Sequence, residues 1–436
     1  MIQKNKIRIL AIETSCDDTG ISILEVKKPA STQGGSGKSD TFKILANNTN
    51  SQVKIHAEYG GVFPALAKRE HQKNLPILFE QTLKEAKTKI DPVRSRSPQG
   101  DRSTPTKSRR AASNGMENVD LIAVTTGPGL EPALWTGIVF AKELSEKYNI
   151  PVIPVNHMEG HIYSIFPKKS KTFKVDTTDK KIFPMLSLLV SGGHTELVLV
   201  KEGMKYKKIG QTRDDASGEA FDKVARMLGL PYPGGPEISK LASIERRNVV
   251  PGSLAQRDGA SASKKSSSIL LRADGNNISS EIPGIVLPRP MMYSKDYDFS
   301  FSGLKTAVLY LIRDLKVKNP NVLDDINIKQ KIAREFEDAL VETLVYKTIK
   351  AIKEYKIKTL IVGGGVSANA YLQTIMTKEI KKLRKSDFLN IKVHFPIKSL
   401  TGDNAIMIAI AGYFGIKNKK ISKNLDLIEA KGNLSL

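Results

Sequence analysis

Two histidines, His157 and His161, stand four positions apart in the segment HMEGH. Residues i and i+4 lie on the same face of a helix, so the two imidazole rings can ligate one metal ion. Two histidines that only cap or pack a helix would show the same spacing. The chain has six histidines in all, so this pair is the first candidate for metal chemistry.

A third ligand is available in the segment TGDNA, residues 401–405, which precedes an apolar helix predicted over residues 405–411. Asp403 would complete a set of two histidines and one carboxylate with open coordination positions, which suits iron(II) or zinc. Taken alone, Asp403 is equally well explained as a helix cap.

The cysteine count limits the kinds of site further. Cys16 is the only cysteine, which excludes an intrachain disulfide and a thiolate zinc site within one chain.

The position of the acidic residue argues against a zinc protease. That class of site needs Glu directly after the first histidine, so that the base stands beside the metal-bound water. Met158 occupies this place, and Glu159 follows it. Glu159 lies about 200° round the helix from His157, so its carboxylate is expected to point away from the ligands.

Strands and polar turns that would position such residues occur twice in the same plan. Apolar strands are predicted over residues 7–12 and 20–26, joined by a polar turn, and again over residues 185–190 and 195–200. Alternating, β-branched segments with a short turn between them favour hairpins. The repetition predicts two similar α/β lobes that face a common cleft.

Three further turns are candidates for binding a nucleotide or another anion. Residues 363–369 are rich in glycine between a strand over 359–362 and a helix from Ala370, where backbone N–H groups and the helix dipole favour phosphate. Gly234 and Gly235 form a second turn, with Asp222 as a possible acceptor for ribose hydroxyls; a purely structural turn is the alternative. Residues 298–306 supply donors before a helix.

Residues 334–350 carry apolar side chains at helical spacing, which predicts a core helix.

Three segments break the globular pattern, residues 29–40, 93–115 and 246–282. They are interpreted as flexible surface insertions because they hold few large apolar groups. The second has six basic residues and one acidic residue. It would suit an RNA-tethering arm, although a solvated loop is the simpler interpretation.

The composition restricts the environment and the partners. Lys and Arg total 68 against 45 acidic residues, a formal charge of +23, which favours a polyanionic partner such as nucleic acid. A Lys-rich genome composition would produce the same excess. No stretch reaches the roughly 18 apolar residues of a membrane span, and the N-terminus has no cleavage site. We expect a cytoplasmic protein that makes no membrane contact.

The motifs resemble, in order and nearly end to end, those of the TsaD family. The matching blocks are IETSCDDTG (12–20), SQVKIHAEYGGVFPALAKREH (51–71), TGPGL (126–130), NHMEGH (156–161), LVSGGHTEL (189–197), DDASGEAFDK (214–223), YPGGP (232–236), FSFSGLKT (299–306), GGVSAN (364–369) and TGDNAIMIA (401–409). The resemblance covers the chain except for the three insertions and the C-terminal tail.

This resemblance implies an α/β fold of the actin and Hsp70 ATPase superfamily (ASKHA), with duplicated RNase H-like lobes, here expected at residues 1–160 and 161–436. It implies transfer of a threonylcarbamoyl group from threonylcarbamoyl-AMP to N6 of the adenosine immediately 3′ of the anticodon in tRNAs that read ANN codons. A divalent metal ion is implied, iron(II) first and zinc as the alternative. The implied partners are tRNA, a TsaB-like paralogue and a TsaE-like ATPase.

The resemblance also assigns residues. The family's metal ligands fall on His157, His161 and Asp403. Its donor-binding positions fall on Leu189, Val190, Ser191, Gly192, Gly193, Asp222, Gly235 and Asn369.

The first turn supplies a candidate for the reaction itself. Asp17 is the candidate for orienting or deprotonating the attacking amine. Asp18 stands where bacterial relatives usually have Glu, which leaves its role open. An ATPase or sugar kinase of the same fold, and a non-catalytic partner subunit, are the alternatives; neither requires the metal ligands.

Overall fold

The computed structural model describes residues 4–29, 39–88, 116, 118–168, 170–177, 179–248, 285–386, 390–417, 421–422 and 424–436. The predicted insertion 93–115 lies outside the described residues, as do residues 30–38 of the first insertion and 249–282 of the third. The chain divides into two compact units. The first contains Met1–Lys54, Val62–Asp179 and Pro396–Leu436, and the second contains Ile55–Gly61 and Lys180–Phe395.

A six-stranded sheet forms the first unit. Its strands are β1 (Lys6–Glu13), β2 (Asp18–Lys27), β3 (Asp40–Ser51), β4 (Leu121–Gly127), β5 (Val152–Asn156) and β6 (Thr172–Val175). The order is β5-β4-β1-β2-β3-β6. The hairpin of β1 and β2 is antiparallel, β3 continues it, and β4 and β5 run parallel to β1 on its other side. The predicted first hairpin is confirmed.

The second unit has a five-stranded sheet with the same plan. Its strands are β7 (Met185–Val190), β8 (Thr195–Lys201), β9 (Lys205–Gln211), β10 (Thr359–Gly363) and β11 (Lys392–His394), in the order β11-β10-β7-β8-β9. The strands β7, β8 and β9 are antiparallel, and β10 and β11 run parallel to β7. The first strand of each unit therefore lies between its own hairpin partner and two parallel strands.

Helices cover these sheets. They are α1 (Val53–Ala57), α2 (Pro64–Glu85), α3 (Glu131–Tyr148), α4 (His157–Tyr163), α5 (Ser217–Met227), α6 (Gly234–Asn248), α7 (Ser302–Lys318), α8 (Ile326–Glu354), α9 (Ala370–Ser386) and α10 (Ala405–Lys417). The predicted helix over 334–350 is the centre of α8, and the helix expected from Ala370 is α9. Among the described residues, none of the helices combines the length and apolar character that a bilayer span requires.

The two faces of the first sheet are covered differently. Leu10 and Ile12 point into a core that contains side chains of α2 and α3. Because side chains alternate along a strand, Glu13 belongs to the opposite face, where α10 packs against β1 and against α4. Residues 405–415 of α10 are all buried, as expected of a helix that is apolar all round.

This packing explains where the expected lobes and the observed units differ. The expected boundary at residue 160 passes through α4, whereas the first unit continues to Asp179 and regains the chain at Pro396. The reason is that α10, although it follows the second sheet in sequence, buries its apolar surface on strands of the first sheet. Contacts between segments far apart in sequence, rather than chain order, define the unit.

The start of the third predicted insertion is wrong. Residues 246–248 complete α6, and the Arg246 guanidinium binds Glu337 and Asp338 of α8 at 2.6 and 2.5 Å. It also lies over the ring of Tyr371, 3.4 Å from the centroid. Polar sequence predicts a loop here, but the half-buried Arg246 is held in α6 by its two buried acidic partners on α8.

Candidate functional site

Helix α4 begins directly after strand β5 and presents both histidines on one turn. Asn156 caps the helix, since its side-chain oxygen accepts a hydrogen bond from the backbone N–H of Met158 at 2.8 Å. His157 and His161 are buried, and their rings lie edge to face with centroids 4.6 Å apart. The expectation that the pair shares a helix face is confirmed.

Gly160, between the two histidines, lets α4 approach α10 closely. A Cβ atom at this position would lie 2.9 Å from Cγ of Met407 and 3.0 Å from Cδ1 of Ile408. Asp403 stands two residues before α10, so the close helix contact brings its carboxylate to the histidines. Asn404 rather than Asp403 caps α10, because its side-chain oxygen accepts from the N–H of Met407 at 3.1 Å.

The three expected ligands converge. Oδ1 of Asp403 lies 3.4 Å from Nε2 of His157 and 3.3 Å from Nε2 of His161. One ligand atom from each of the three residues lies within 4.8 Å of the other two. Ligand atoms bound at about 2.0–2.2 Å to one ion are separated by roughly 3–3.5 Å. Nε2 of His161 faces Asp403, and among the described residues its Nδ1 has no hydrogen-bond partner. The set therefore fits a divalent ion.

The electrostatics of the metal-free site are those of an ion pair. Burial lowers the pKa of His157, but the charges of Asp403 and Glu13 outweigh it and raise the pKa to about 10. Burial lowers the pKa of His161. For Asp403, burial is outweighed by the charge and hydrogen bond of His157, which hold its pKa well below the usual value. One histidine therefore carries a proton that a metal ion must displace.

The expected donor-binding positions all belong to the second unit and adjoin one another. Leu189 and Val190 are buried at the end of β7. The turn after them is held by Ser191, whose carbonyl accepts from the N–H of Gly218 at 3.1 Å. Gly364 adopts φ +88°, and a side chain there would strike the carbonyl of Val190, so the turn after β10 is also fixed against β7.

The Asp222 carboxylate holds the start of helix α6. Gly234 and Gly235 open α6 instead of forming a separate turn. The Asp222 carboxylate accepts the N–H of Gly234 at 2.7 Å and also bonds to the N–H of Gly235. Burial raises the pKa of Asp222, and these backbone bonds oppose the rise. The carboxylate therefore caps the start of α6, and its role in binding ribose hydroxyls stays a prediction.

The Asn369 side chain is fully engaged within the unit. Its amide nitrogen donates to Oε1 of Glu337 at 2.7 Å and to Ser239 at 3.0 Å, and its oxygen accepts from the N–H of Leu372 at 2.8 Å. Oγ of Ser239 lies 2.6 Å from Oε1 of Glu337 and 3.0 Å from the carbonyl oxygen of Gly235, and its one hydrogen can be donated to either. Asn369 and Gly235 are thereby joined through one hydroxyl, on the same side of the unit.

Sequence comparison identifies the protein family. The TsaD model, described as tRNA N6-adenosine threonylcarbamoyltransferase, matches residues 43–95 and 109–410. The chain belongs to the TsaD family. The matched residues include all three expected metal ligands and every expected donor-binding position.

Full-length relatives carry the same description. A tRNA N6-adenosine threonylcarbamoyltransferase of Thermosipho africanus (strain TCF52B) is 40% identical over 431 residues, covering 98% of this chain and 99% of the relative. Another, from Dictyoglomus turgidum, is 38% identical and covers 93% of this chain and 92% of the relative. A crystal structure of full-length HypF has a TM-score of 0.47 at 12% identity, covering 95% of this chain and 47% of that chain, which is too weak to define the fold.

In this TsaD family member a second layer of residues surrounds the ligands, and sequence reasoning missed it. Glu13 accepts hydrogen bonds from the N–H of Ser15, the hydroxyl of Thr125 and Nδ1 of His157. The hydroxyl of Ser15 donates to Oδ2 of Asp403 at 3.3 Å. The available signal was a charged residue, Glu13, directly after the apolar run of residues 9–12 at the end of β1.

The turn after β1 carries the remaining acidic candidates of the first unit. Asp17 is half-buried and hydrogen-bonded to the Cys16 thiol. Burial, followed by the charges of nearby carboxylates, raises the pKa of Cys16 well above its usual value, so this cysteine is a thiol. Burial, then the charge of Asp403, raises the pKa of Asp18 to about 7. Nε2 of His71 lies 3.1 Å from the carbonyl of Cys16 and holds the turn.

The anion site expected over residues 298–306 is filled by the chain itself. The Asp214 carboxylate accepts from the N–H groups of Phe301 and Ser302 and from the hydroxyls of Ser300 and Ser302. Lys305 pairs with Asp215 at 2.9 Å. These donors therefore join two segments of the second unit and are not available to a phosphate.

Proposed function

We propose that this chain forms N6-threonylcarbamoyladenosine in tRNA, using threonylcarbamoyl-AMP as donor and the adenosine 3′ of the anticodon in tRNAs that read ANN codons as acceptor. The observation that carries the proposal is the convergence of Nε2 of His157, Nε2 of His161 and Oδ1 of Asp403. The type of reaction is inferred from relatives that align with nearly the whole chain and are named tRNA N6-adenosine threonylcarbamoyltransferase.

The reaction is an acyl transfer from a mixed anhydride. The exocyclic N6 of adenine attacks the carbamoyl carbon, a C–N bond forms, and the C–O bond to AMP breaks. An ion held by the three ligands would supply Lewis-acid stabilisation of the charge that develops on oxygen. Adenine N6 is a weak nucleophile, so its placement matters. Asp17 orients this amine or accepts its proton, and AMP leaves with the anhydride oxygen.

The ligand chemistry favours iron(II), with zinc as the alternative. Two imidazole nitrogens and one carboxylate oxygen leave coordination positions open for the donor, as in known iron(II) sites. Among the described residues, the set of converging ligand atoms consists of His157, His161 and Asp403 and does not include Cys16. The carboxylate of Asp403 stays ionised because its pKa is held low, so the site attracts a cation without prior deprotonation of this residue.

The AMP part of the donor is proposed to bind the second unit. A Cβ atom placed at Gly192, Gly193 or Gly235 would lie in open space or in ordinary contact, so the backbone there is open to a ligand. Backbone N–H groups at a helix start favour phosphate. Leu189, Val190, Ser191, Asp222 and Asn369 are proposed as the other donor-binding positions. Hydrogen bonds of Ser191, Asp222 and Asn369 also hold these backbone segments in place.

Both units support assignment to the actin and Hsp70 ATPase superfamily (ASKHA). The sheet orders β5-β4-β1-β2-β3 and β11-β10-β7-β8-β9 are the same plan of three antiparallel and two parallel strands. This is the arrangement expected of duplicated RNase H-like domains. An ATPase or kinase of this fold is the alternative function, but it gives no reason for the ligand set.

The partners follow from the proposed reaction. A tRNA substrate agrees with the formal charge of +23 and implies the cytoplasm. A TsaB-like paralogue and a TsaE-like ATPase are proposed as accessory proteins.

The direct test is reconstitution. Purified chain, metal, threonylcarbamoyl-AMP and unmodified tRNA, with accessory proteins added, should yield modified nucleoside detectable by mass spectrometry. His161→Ala should abolish the product, whereas the exposed His394→Ala should not. Equal activity of both variants would refute the metal-dependent reaction.

A further inference from the structure

A buried carboxylate that is not one of the three ligands, Glu13, contacts His157 at the ring nitrogen that does not face Asp403. Glu13 ends strand β1 and has no exposed surface. Isolated buried carboxylates are strongly disfavoured, so such a group needs donors. Glu13 has three, namely the N–H of Ser15 at 2.6 Å, the hydroxyl of Thr125 at 2.6 Å and Nδ1 of His157 at 3.2 Å.

The contact with His157 determines which ring nitrogen faces the ligand set. A carboxylate can only accept, so Nδ1 of His157 carries the hydrogen in this contact. The other nitrogen, Nε2, is the one that lies 3.4 Å from Oδ1 of Asp403. An imidazole held at Nδ1 by a carboxylate is fixed in orientation and is a stronger donor at Nε2.

A second path runs from the same carboxylate to Asp403. Oε1 of Glu13 fixes the N–H of Ser15, and the hydroxyl of Ser15 donates to Oδ2 of Asp403 at 3.3 Å. This leaves Oδ1 of Asp403 directed to the two histidines. His161 differs, because among the described residues its Nδ1 has no hydrogen-bond partner.

We propose that Glu13 is a positioning residue of the metal centre, orienting His157 directly and Asp403 through Ser15. The inference rests on the metal site of the proposed function. Together with Asp403 it places two carboxylates around a divalent ion, which balances the ion's charge in a buried place. Glu13 holds the N–H hydrogen on Nδ1 of His157, so Nε2 is the nitrogen that faces the ion.

Metal affinity is the measurement, with Zn²⁺ and Co²⁺ as probes in competition with a chelating dye. Glu13→Ala should weaken binding by about 10–100-fold, as other such partners do. Glu13→Gln retains an acceptor for Nδ1 but not the charge, and should bind with intermediate affinity. The Co²⁺ absorption spectrum should also change in both variants, which a purely structural role would not produce.

The matched control is Glu25→Gln. Glu25 is also a buried carboxylate of the first sheet, but it pairs with Lys6 and Arg8. This control should keep wild-type affinity and spectrum. If Glu13→Ala does not fold, Glu13→Gln decides, since it preserves side-chain volume.

The outcomes separate the two proposals. A wild-type chain that binds neither ion would overturn the metal site itself. Wild-type binding with unchanged affinity and spectrum in Glu13→Gln, or an equal loss in Glu25→Gln, would overturn the role of Glu13 alone.

Discussion

Nε2 of His161 lies 3.3 Å from Oδ1 of Asp403, although the whole second sheet separates the two residues in sequence. The contact exists because α10 returns to the first unit and packs on α4 at Gly160. The ligand set therefore depends on the completed tertiary structure of that unit.

Removal of one ligand should empty the site. Asp403→Ala should reduce bound metal from about one ion per chain to near zero, because two histidines without the carboxylate provide an incomplete set. Elemental analysis of protein purified with and without added iron(II) or zinc measures this. His394→Ala, which changes an exposed histidine of the second unit, should retain full occupancy.

Metal binding should release a proton. In the metal-free protein the pKa of His157 is raised to about 10, so at neutral pH the ring is charged and the ion must displace a proton. Affinity should fall about tenfold for each unit of pH lowered between pH 9 and 7. Calorimetry in two buffers of different ionisation enthalpy counts the protons; a count of zero would contradict the raised pKa.

The stability of the metal-free protein should fall as the pH rises, whereas the metal affinity should increase. A folded-state pKa above the unfolded value of about 6.5 stabilises the fold. The contribution is fully present below pH 6.5 and is lost as the pH rises through the folded value of about 10. Urea unfolding in the presence of a chelator should therefore show a lower free energy of unfolding at pH 10 than at pH 6. His157→Gln should reduce this difference.

Gly160→Val should damage the metal site through packing. The new side chain would meet Met407 and Ile408 at the contact of α4 with α10, and overpacking of this kind costs about 1–3 kcal/mol. The midpoint temperature of thermal unfolding and the affinity for Zn²⁺ should both decrease. Gly365→Val, where a Cβ meets nothing within 4 Å, should have a much smaller effect on both.

Arg246→Ala should strongly destabilise the second unit. Its guanidinium pairs with Glu337, which has no exposed surface, and with Asp338. Leaving a buried acceptor without a partner costs about 1–3 kcal/mol, and we expect a loss in this range because Arg246 is half-buried and Asp338 keeps Arg334 at 3.6 Å. Chemical denaturation measures this, with the exposed neighbour Arg247→Ala as control. Equal stability of the two variants would show that the ion pairs of Arg246 do not stabilise the second unit.

Donor recognition should depend on the metal centre. Metal-loaded protein, with accessory proteins added, should bind threonylcarbamoyl-AMP more tightly than AMP or ATP. Asp403→Ala should lose most of this preference and keep its AMP affinity, because the ion contacts only the acyl part. Tighter binding of ATP by the wild type, measured by calorimetry, would favour the ATPase alternative.

Local patterns in the sequence were sufficient for several elements. The hairpins β1–β2 and β7–β8 follow from alternating apolar residues around short polar turns, since both strands of a hairpin are close in sequence. The shared face of His157 and His161 follows from helical periodicity alone. The chemistry of the Asp403 side chain and the family resemblance predict that it joins the pair, and the three side chains do converge.

Only the tertiary structure decided the surroundings of these residues. The bonds from Glu13 to Thr125 and His157, and from Ser15 to Asp403, join positions far apart in sequence. The same holds for Arg246 on α8 and for α10 on the first sheet. A hydrogen bond or an ion pair between distant segments depends on how the elements pack, and no periodicity along the chain encodes that packing.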